Sequence, residues 1–160
     1  MTTYAGTGHR PDKLGGYTKE AFGRLVLVAA HWMKSLNDPD LKIISGMALG
    51  WDQALAMAAI YTNTPFIAAV PFEGQCSVWP KESKFKYTRI LDRAAEIHVV
   101  SDGGYSSHKM QVRNEWMVDH SDAVVAMFNG TAGGTANCVA YAEGVHKPII
   151  NLYPEWLKQA

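Results

Sequence analysis

Glycines placed just ahead of a helical stretch, with hydroxyl side chains beside them, can hold an anion. Three stretches of this chain have that composition. In Gly130-Thr131-Ala132-Gly133-Gly134-Thr135-Ala136-Asn137 the paired glycines keep Cβ atoms away from any group approaching the backbone. The unpaired N–H groups of a helix start add roughly half a positive charge. Thr131 and Thr135 supply hydroxyl donors, and Asn137 follows in the first helical turn. The same stretch could equally be a tight strand-to-helix turn that binds nothing. A second stretch, Ser45-Gly46-Met47-Ala48-Leu49-Gly50-Trp51-Asp52, repeats the arrangement. Asp52 there could cap the helix or accept hydrogen bonds from a ribose or a base. It would repel a phosphate placed directly beside it, so a sugar or base is the expected neighbour. Trp51 is the aromatic residue expected nearest a ligand, where its face could stack on a base; Trp79 and Trp116 are weaker candidates. The third stretch is Gly6-Thr7-Gly8-His9-Arg10-Pro11. Arg10 presents a planar fork suited to two phosphate oxygens, and His9 can donate a hydrogen bond or titrate near neutrality.

The elements that must position these loops alternate along the chain. Short β-branched runs at 3–5, 41–45, 66–70, 97–100, 123–128 and 148–152 read as six strands. Helical periodicity occupies 17–36, 50–61, 84–96, 107–120 and 135–144, the fourth of these opening with a Ser cap. Residues 72–83 read as a loop near the sheet edge and 155–160 as a short terminal extension. Strands alternating with helices predict an α/β fold, a mainly parallel sheet of about six strands covered on both faces. Ligands of such sheets bind beyond the carboxyl ends of the strands. All three glycine stretches are expected at that rim.

Length and composition set the bounds. At 160 residues one domain spanning 1–160 is expected. Fifteen Lys and Arg balance fifteen Asp and Glu, which gives no general attraction to polyanions. Duplex nucleic acid and anionic membrane are therefore disfavoured as partners. Cys76 and Cys138 form neither a CxxC nor a Cys/His cluster, so they read as buried thiols of a reducing cytosol, with no metal site. The N-terminus reaches a glycine turn too early for a signal peptide, and no apolar run approaches the ~20 residues that span a bilayer. A cytoplasmic protein is expected. Arg113, Asn114 and Glu115 form a polar run on a helix, a pattern that most often marks a solvated face.

Read together, Thr7-Gly8-His9-Arg10-Pro11, Ser45 through Asp52, and Trp116 through Asp122 continuing to Gly133-Gly134-Thr135-Ala136-Asn137 and Tyr141-Ala142 resemble the SLOG superfamily. Within it they look like the YpsA-like branch, found in bacteria and phages, and the resemblance spans residues 4 to about 152. It implies a single Rossmann-like three-layer domain that holds a nucleotide or nucleotide-derived ligand. The implied contacts are Gly8, Arg10, Gly46, Asp52, Gly133, Gly134 and Thr135. Mg²⁺ would enter only with a phosphate ligand, and a homo-oligomer is expected.

The superfamily also includes the Lonely Guy phosphoribohydrolases, and 134–148 is similar to the end of nucleoside 2-deoxyribosyltransferases. In the latter a glutamate nucleophile follows the Gly-Thr by three positions, where this chain has Cys138. Glycosidic-bond chemistry wants a carboxylate at the anomeric carbon. Glu115 and Asp119 are the candidate substitutes. The leading expectation is therefore nucleotide recognition without catalysis, ahead of an N-glycosidic hydrolase or transferase and of single-stranded DNA binding.

Overall fold

The structure, a computed structural model, describes residues 2–159. Six strands are present among them: β1 (Thr3–Gly8), β2 (Lys42–Ser45), β3 (Phe66–Val70), β4 (Glu96–Val99), β5 (Ala123–Met127) and β6 (Ile149–Asn151). All pair in parallel, in the order β4-β3-β2-β1-β5-β6. Ile43 and Ile44 of β2, Ala68 to Val70 of β3 and all of β5 are buried. These continuous apolar runs belong to strands covered on both faces.

One face carries α1 (Lys19–Ser35) and α2 (Trp51–Tyr61), whose Leu25, Ala29, Trp32, Ala54, Leu55 and Ala58 join one core with Ile43 and Phe66. Thr18 caps α1 by accepting from the Ala21 N–H at 3.1 Å. The other face carries α4 (Ser107–Asp119) and α5 (Gly134–Gly144), which bury Met117, Val118, Cys138 and Ala142 against Ala5, Ile44 and Val124. The result is the expected three-layer Rossmann-like α/β domain. No helix among the described residues is long and apolar enough to cross a membrane.

Three expectations shift, each for a physical reason. Strand β1 runs on through Gly8 instead of stopping at residue 5, because Gly6, Thr7 and Gly8 continue the ladder with Val125, Ala126 and Met127 of β5. The two glycines are what allow α2 to lie on this strand. A Cβ on Gly6 would stand 2.3 Å from Leu55 Cδ2, and one on Gly8 would stand 2.4 Å from Trp51 Cδ1. Helix α3 (Lys81–Leu91) starts earlier and ends earlier than its periodicity predicts, since Pro80 stands at its N-cap and Glu96 is taken into β4. The expected Ser cap of α4 is present as Ser106, whose Oγ accepts from the Lys109 N–H at 3.1 Å. The terminal residues are a docked helix, α6 (Tyr153–Lys158): Pro154 sits in its first turn, and Trp156 is buried in the α1–α2 core beneath Arg24.

Candidate functional site

Strand order reverses at β1, which has β2 on one side and β5 on the other. The chain leaving β1 turns towards the α1 face and the chain leaving β5 towards the α5 face, so a crevice opens between them. This is the topological switch point where open α/β sheets bind ligands. A cleft of about 480 Å³ occupies it. Residues 6–10 with Asp12 and Lys13 form one wall, 132–135 and Asn137 the opposite wall, and α4 closes the side through Ser107, Gln111, Arg113 and Asn114. Ala48 and Asp52 come from the β2 loop, and Tyr105 stands at the margin.

One end of the cleft is built for negative charge. Gly133, at the N-cap of α5, has φ 142°, and Cβ atoms on Gly133 or Gly134 would meet nothing within 4 Å. The first N–H groups of α5 are thus uncovered at a helix terminus. The exposed Arg10 and Lys13 face them from the β1 side, and Ser107 brings the start of α4 to the same cleft.

The loops are tied to one another, which fixes this geometry. The His9 N–H donates to Met127 O at 3.1 Å, and the Trp51 N–H donates to His9 O at 3.3 Å. His9 Nε2 accepts from the Asn129 N–H at 2.9 Å. Burial lowers the His9 pKa, which keeps the ring neutral and fit to accept. Lys13 Nζ donates to Thr131 Oγ1 at 2.6 Å, and Thr131 in turn donates to Asn129 Oδ1.

The floor carries charge. Asp52 and Arg113 are buried, with 6% and 4% of their surfaces exposed, and both line the cleft. Arg113 Nη1 donates to the carbonyl oxygens of Gly46 and Ala69, and Nε donates to Asn114 Oδ1 at 3.0 Å. Gly46 O also accepts from Gln75 Nε2 at 2.9 Å, and Gln75 Oε1 accepts from Tyr87 Oη. Asp52 is poorly satisfied: Oδ2 accepts a long 3.4 Å contact from the Ala48 N–H, and Oδ1 is enclosed without a partner. Desolvation raises its pKa to about 6, against the opposing pull of Arg113.

The model of the YspA SLOG family, YpsA, matches residues 5–147. The chain belongs to that family. It is similar to the uncharacterised SPbeta prophage-derived protein YoqJ of Bacillus subtilis (strain 168), 38% identical over 133 residues that cover 72% of this chain and 78% of YoqJ. Its fold is similar to that of DNA processing protein A from Streptococcus pneumoniae, with a TM-score of 0.65, 20% identity and coverage of 93% of this chain. The chain spans 49% of that protein. DNA processing protein A from Helicobacter pylori, described for its single-stranded DNA binding mode, matches with a TM-score of 0.67 and 18% identity over 99% of this chain and 72% of its own length. The SLOG resemblance carried by the three motifs is thereby borne out.

In this YpsA-family chain the candidate residues divide into those that face the cleft and those that build it. Gly6, Thr7, Gly8, His9, Arg10, Asp52, Gly133, Gly134, Thr135 and Asn137 line it. Ser45, Gly46, Gly50 and Trp51 do not. Ser45 Oγ is used inside the loop, donating to Asp52 O at 2.7 Å and accepting from the Met47 N–H. Trp51 is fully buried under Gly8, so it cannot offer a face to a base. Trp79 packs edge-on against Tyr87, and Trp116 is stacked between His98 and His120. Gly130 and Thr131 do not line it either, and Thr131 Oγ1 accepts from Lys13 Nζ.

Glu115 and Asp119 are also absent from the lining: Glu115 Oε2 accepts from Gln111 Nε2 at 3.2 Å, and Asp119 Oδ1 accepts from Tyr141 Oη at 2.7 Å. The capping reading of Asp52 gives way as well, because its one contact is Ala48, ahead of the helix. The motifs did not single out Tyr105 or Lys13. Arg113, read as part of a solvated polar run, is the most buried cation of the site. Its signal was position: it falls two residues before Glu115 on the same helix as the buried Met117 and lies one turn from it.

Proposed function

We propose that this chain binds a nucleotide or nucleotide-derived small molecule in the switch-point cleft and releases it unchanged. The observation that carries the reading is the opposition, across one cleft, of the uncovered N-terminus of α5 and the side chains of Arg10 and Lys13. A phosphate seated there receives backbone N–H groups on one side and cationic donors on the other. The volume of about 480 Å³ suits a ligand of mononucleotide size, within the ~300–1,000 Å³ common to small-molecule sites.

Catalysis on a glycosidic bond is the second reading, and the side chains present weaken it. Glu115 and Asp119 do not face the cleft, and burial pushes the Cys138 thiol up to about 11, which keeps it protonated. Asp52 is the one buried carboxyl group left on the floor. Single-stranded DNA binding is the third reading, supported by the fold shared with the Helicobacter protein.

The test incubates purified protein with nucleoside mono-, di- and triphosphates, cyclic nucleotides, and NAD and ADP-ribose derivatives, followed by mass spectrometry of free and bound species. The expected result is an intact ligand retained by the wild type and held at least about tenfold more weakly by Arg10→Ala. Release of a free base with ribose phosphate would overturn the binding-only reading.

A further inference from the structure

The cleft carries its exposed cations and its exposed aromatic ring at opposite ends. Arg10 and Lys13 face the start of α5 at the tips of β1 and β5. In the strand order β3-β2-β1-β5, the tip of β3 stands three spacings from that of β5, ~14 Å along the rim. Phe72 follows β3 there and is buried. Tyr105 meets it in a T-shaped contact, with ring centroids 5.9 Å apart and planes at 85°. Tyr105 lines the cleft, as do Ala48 of the β2 loop and Met110 in the first turn of α4.

Packing alone does not account for this ring. Tyr105 is 75% exposed, yet the chain on either side of it is held by one residue. Lys109 Nζ donates to Gly104 O at 2.7 Å, and the Lys109 N–H donates to Ser106 Oγ at 3.1 Å. The ring is thus anchored through its backbone and through Phe72, while most of its surface stays open beside the cleft. His9 is the other aromatic side chain in the lining, but it is buried and already accepts from the Asn129 N–H. Among the described residues of the cleft wall, Tyr105 is therefore the one aromatic surface free to receive a planar group.

Resting on the nucleotide reading of the same cleft, we infer that Tyr105 is the platform on which the base stacks. The ligand then lies along the rim, its phosphate at α5 and its base towards the tip of β3. Stacking on an aromatic ring suits every base, because each has a π face, so this contact recognises a nucleobase as a class. A phosphosugar without a base forfeits it.

The experiment is calorimetric titration of the full chain with the 5′-monophosphates of adenosine, guanosine, cytidine and uridine, with ribose 5-phosphate and with inorganic phosphate. In the wild type the best of the four nucleotides is expected to bind about tenfold or more tightly than ribose 5-phosphate, the effect of one base–aromatic stack. In Tyr105→Ala that ratio is expected to fall to about threefold or less, with the affinity for ribose 5-phosphate unchanged. Tyr105→Phe keeps the wild-type ratio, because it keeps the ring, and Tyr105→Leu does not. The unchanged ribose 5-phosphate affinity is the control that the cleft is still built. An equal ratio in the wild type and Tyr105→Ala, or no preference for nucleotides over ribose 5-phosphate in the wild type, overturns this inference and leaves phosphate binding in the cleft standing. Failure of all six compounds to bind the wild type overturns both.

Discussion

Arg113→Met is expected to lower the unfolding free energy by about 3–5 kcal/mol, a larger loss than an exposed charge could produce. Methionine fills much of the same volume but supplies no donors. The carbonyl oxygens of Gly46 and Ala69, at the ends of β2 and β3, lose the guanidinium that ties them to α4. Each buried acceptor left with fewer partners carries a desolvation penalty of about 1–3 kcal/mol. Gly46 O keeps Gln75, so Ala69 O and the carboxyl group of Asp52 bear most of the damage. Without its neighbouring cation Asp52 is driven further from ionisation. Urea denaturation followed by far-UV circular dichroism checks this. A loss below about 1 kcal/mol would mean that Arg113 is not the bracket between α4 and the β2 loop. Arg113→Lys is expected to fall between the two, since an ammonium cannot reproduce the fork.

Gly50→Ala is expected to cost about 3–5 kcal/mol, from two sources that act together. Gly50 has φ 94° and ψ −128°, a conformation that L side chains rarely adopt. An added Cβ would also stand 2.5 Å from His9 O and 3.0 Å from Arg10 Cα, which are backbone atoms and cannot swing aside. The β1 loop must retreat, weakening the bond from the Trp51 N–H to His9 O and displacing Arg10 from the cleft wall. Gly134→Ala is the contrasting substitution: its Cβ meets nothing within 4 Å, so stability is retained while a Cβ enters the path of the anion. Thermal melts of the two variants separate these cases. Equal melting temperatures for Gly50→Ala and wild type would contradict the packing described for this loop.

The contrast between these two glycines shows how much of the site the sequence made legible. Alternating strand and helix patterns were enough for the parallel sheet, and glycine punctuation was enough to place three loops at one rim. The division of labour within the loops was not legible. Gly50 and Gly134 both stand at the start of a helix, yet one serves contact with the β1 backbone and the other leaves space open, a difference that only the packing of α2 on β1 decides. Trp51 adjoins Asp52 in sequence, but one helical step turns the indole under Gly8 and the carboxyl group towards the cleft. Arg113 looked solvated because its neighbours Asn114 and Glu115 are polar. Its burial comes from the crossing of α4 over the ends of β2 and β3, a long-range contact with no local signature. Tyr105 follows the glycine pair 103–104 at the other edge of the cleft and carried no motif.

The most direct test of the central claim, that the cleft between the β1 and β5 loops holds the ligand through its phosphate, is a map of backbone amide shifts. Nitrogen-15-labelled protein would be titrated with the nucleotide retained in the mass-spectrometric panel. The largest shifts are expected at the amides of Gly8, Arg10, Gly133, Gly134 and Thr135, with smaller ones at Ala48 and Asp52. Shifts confined to the edge strand β4 or the outer face of α1, with the Gly133 to Thr135 amides unmoved, would contradict it.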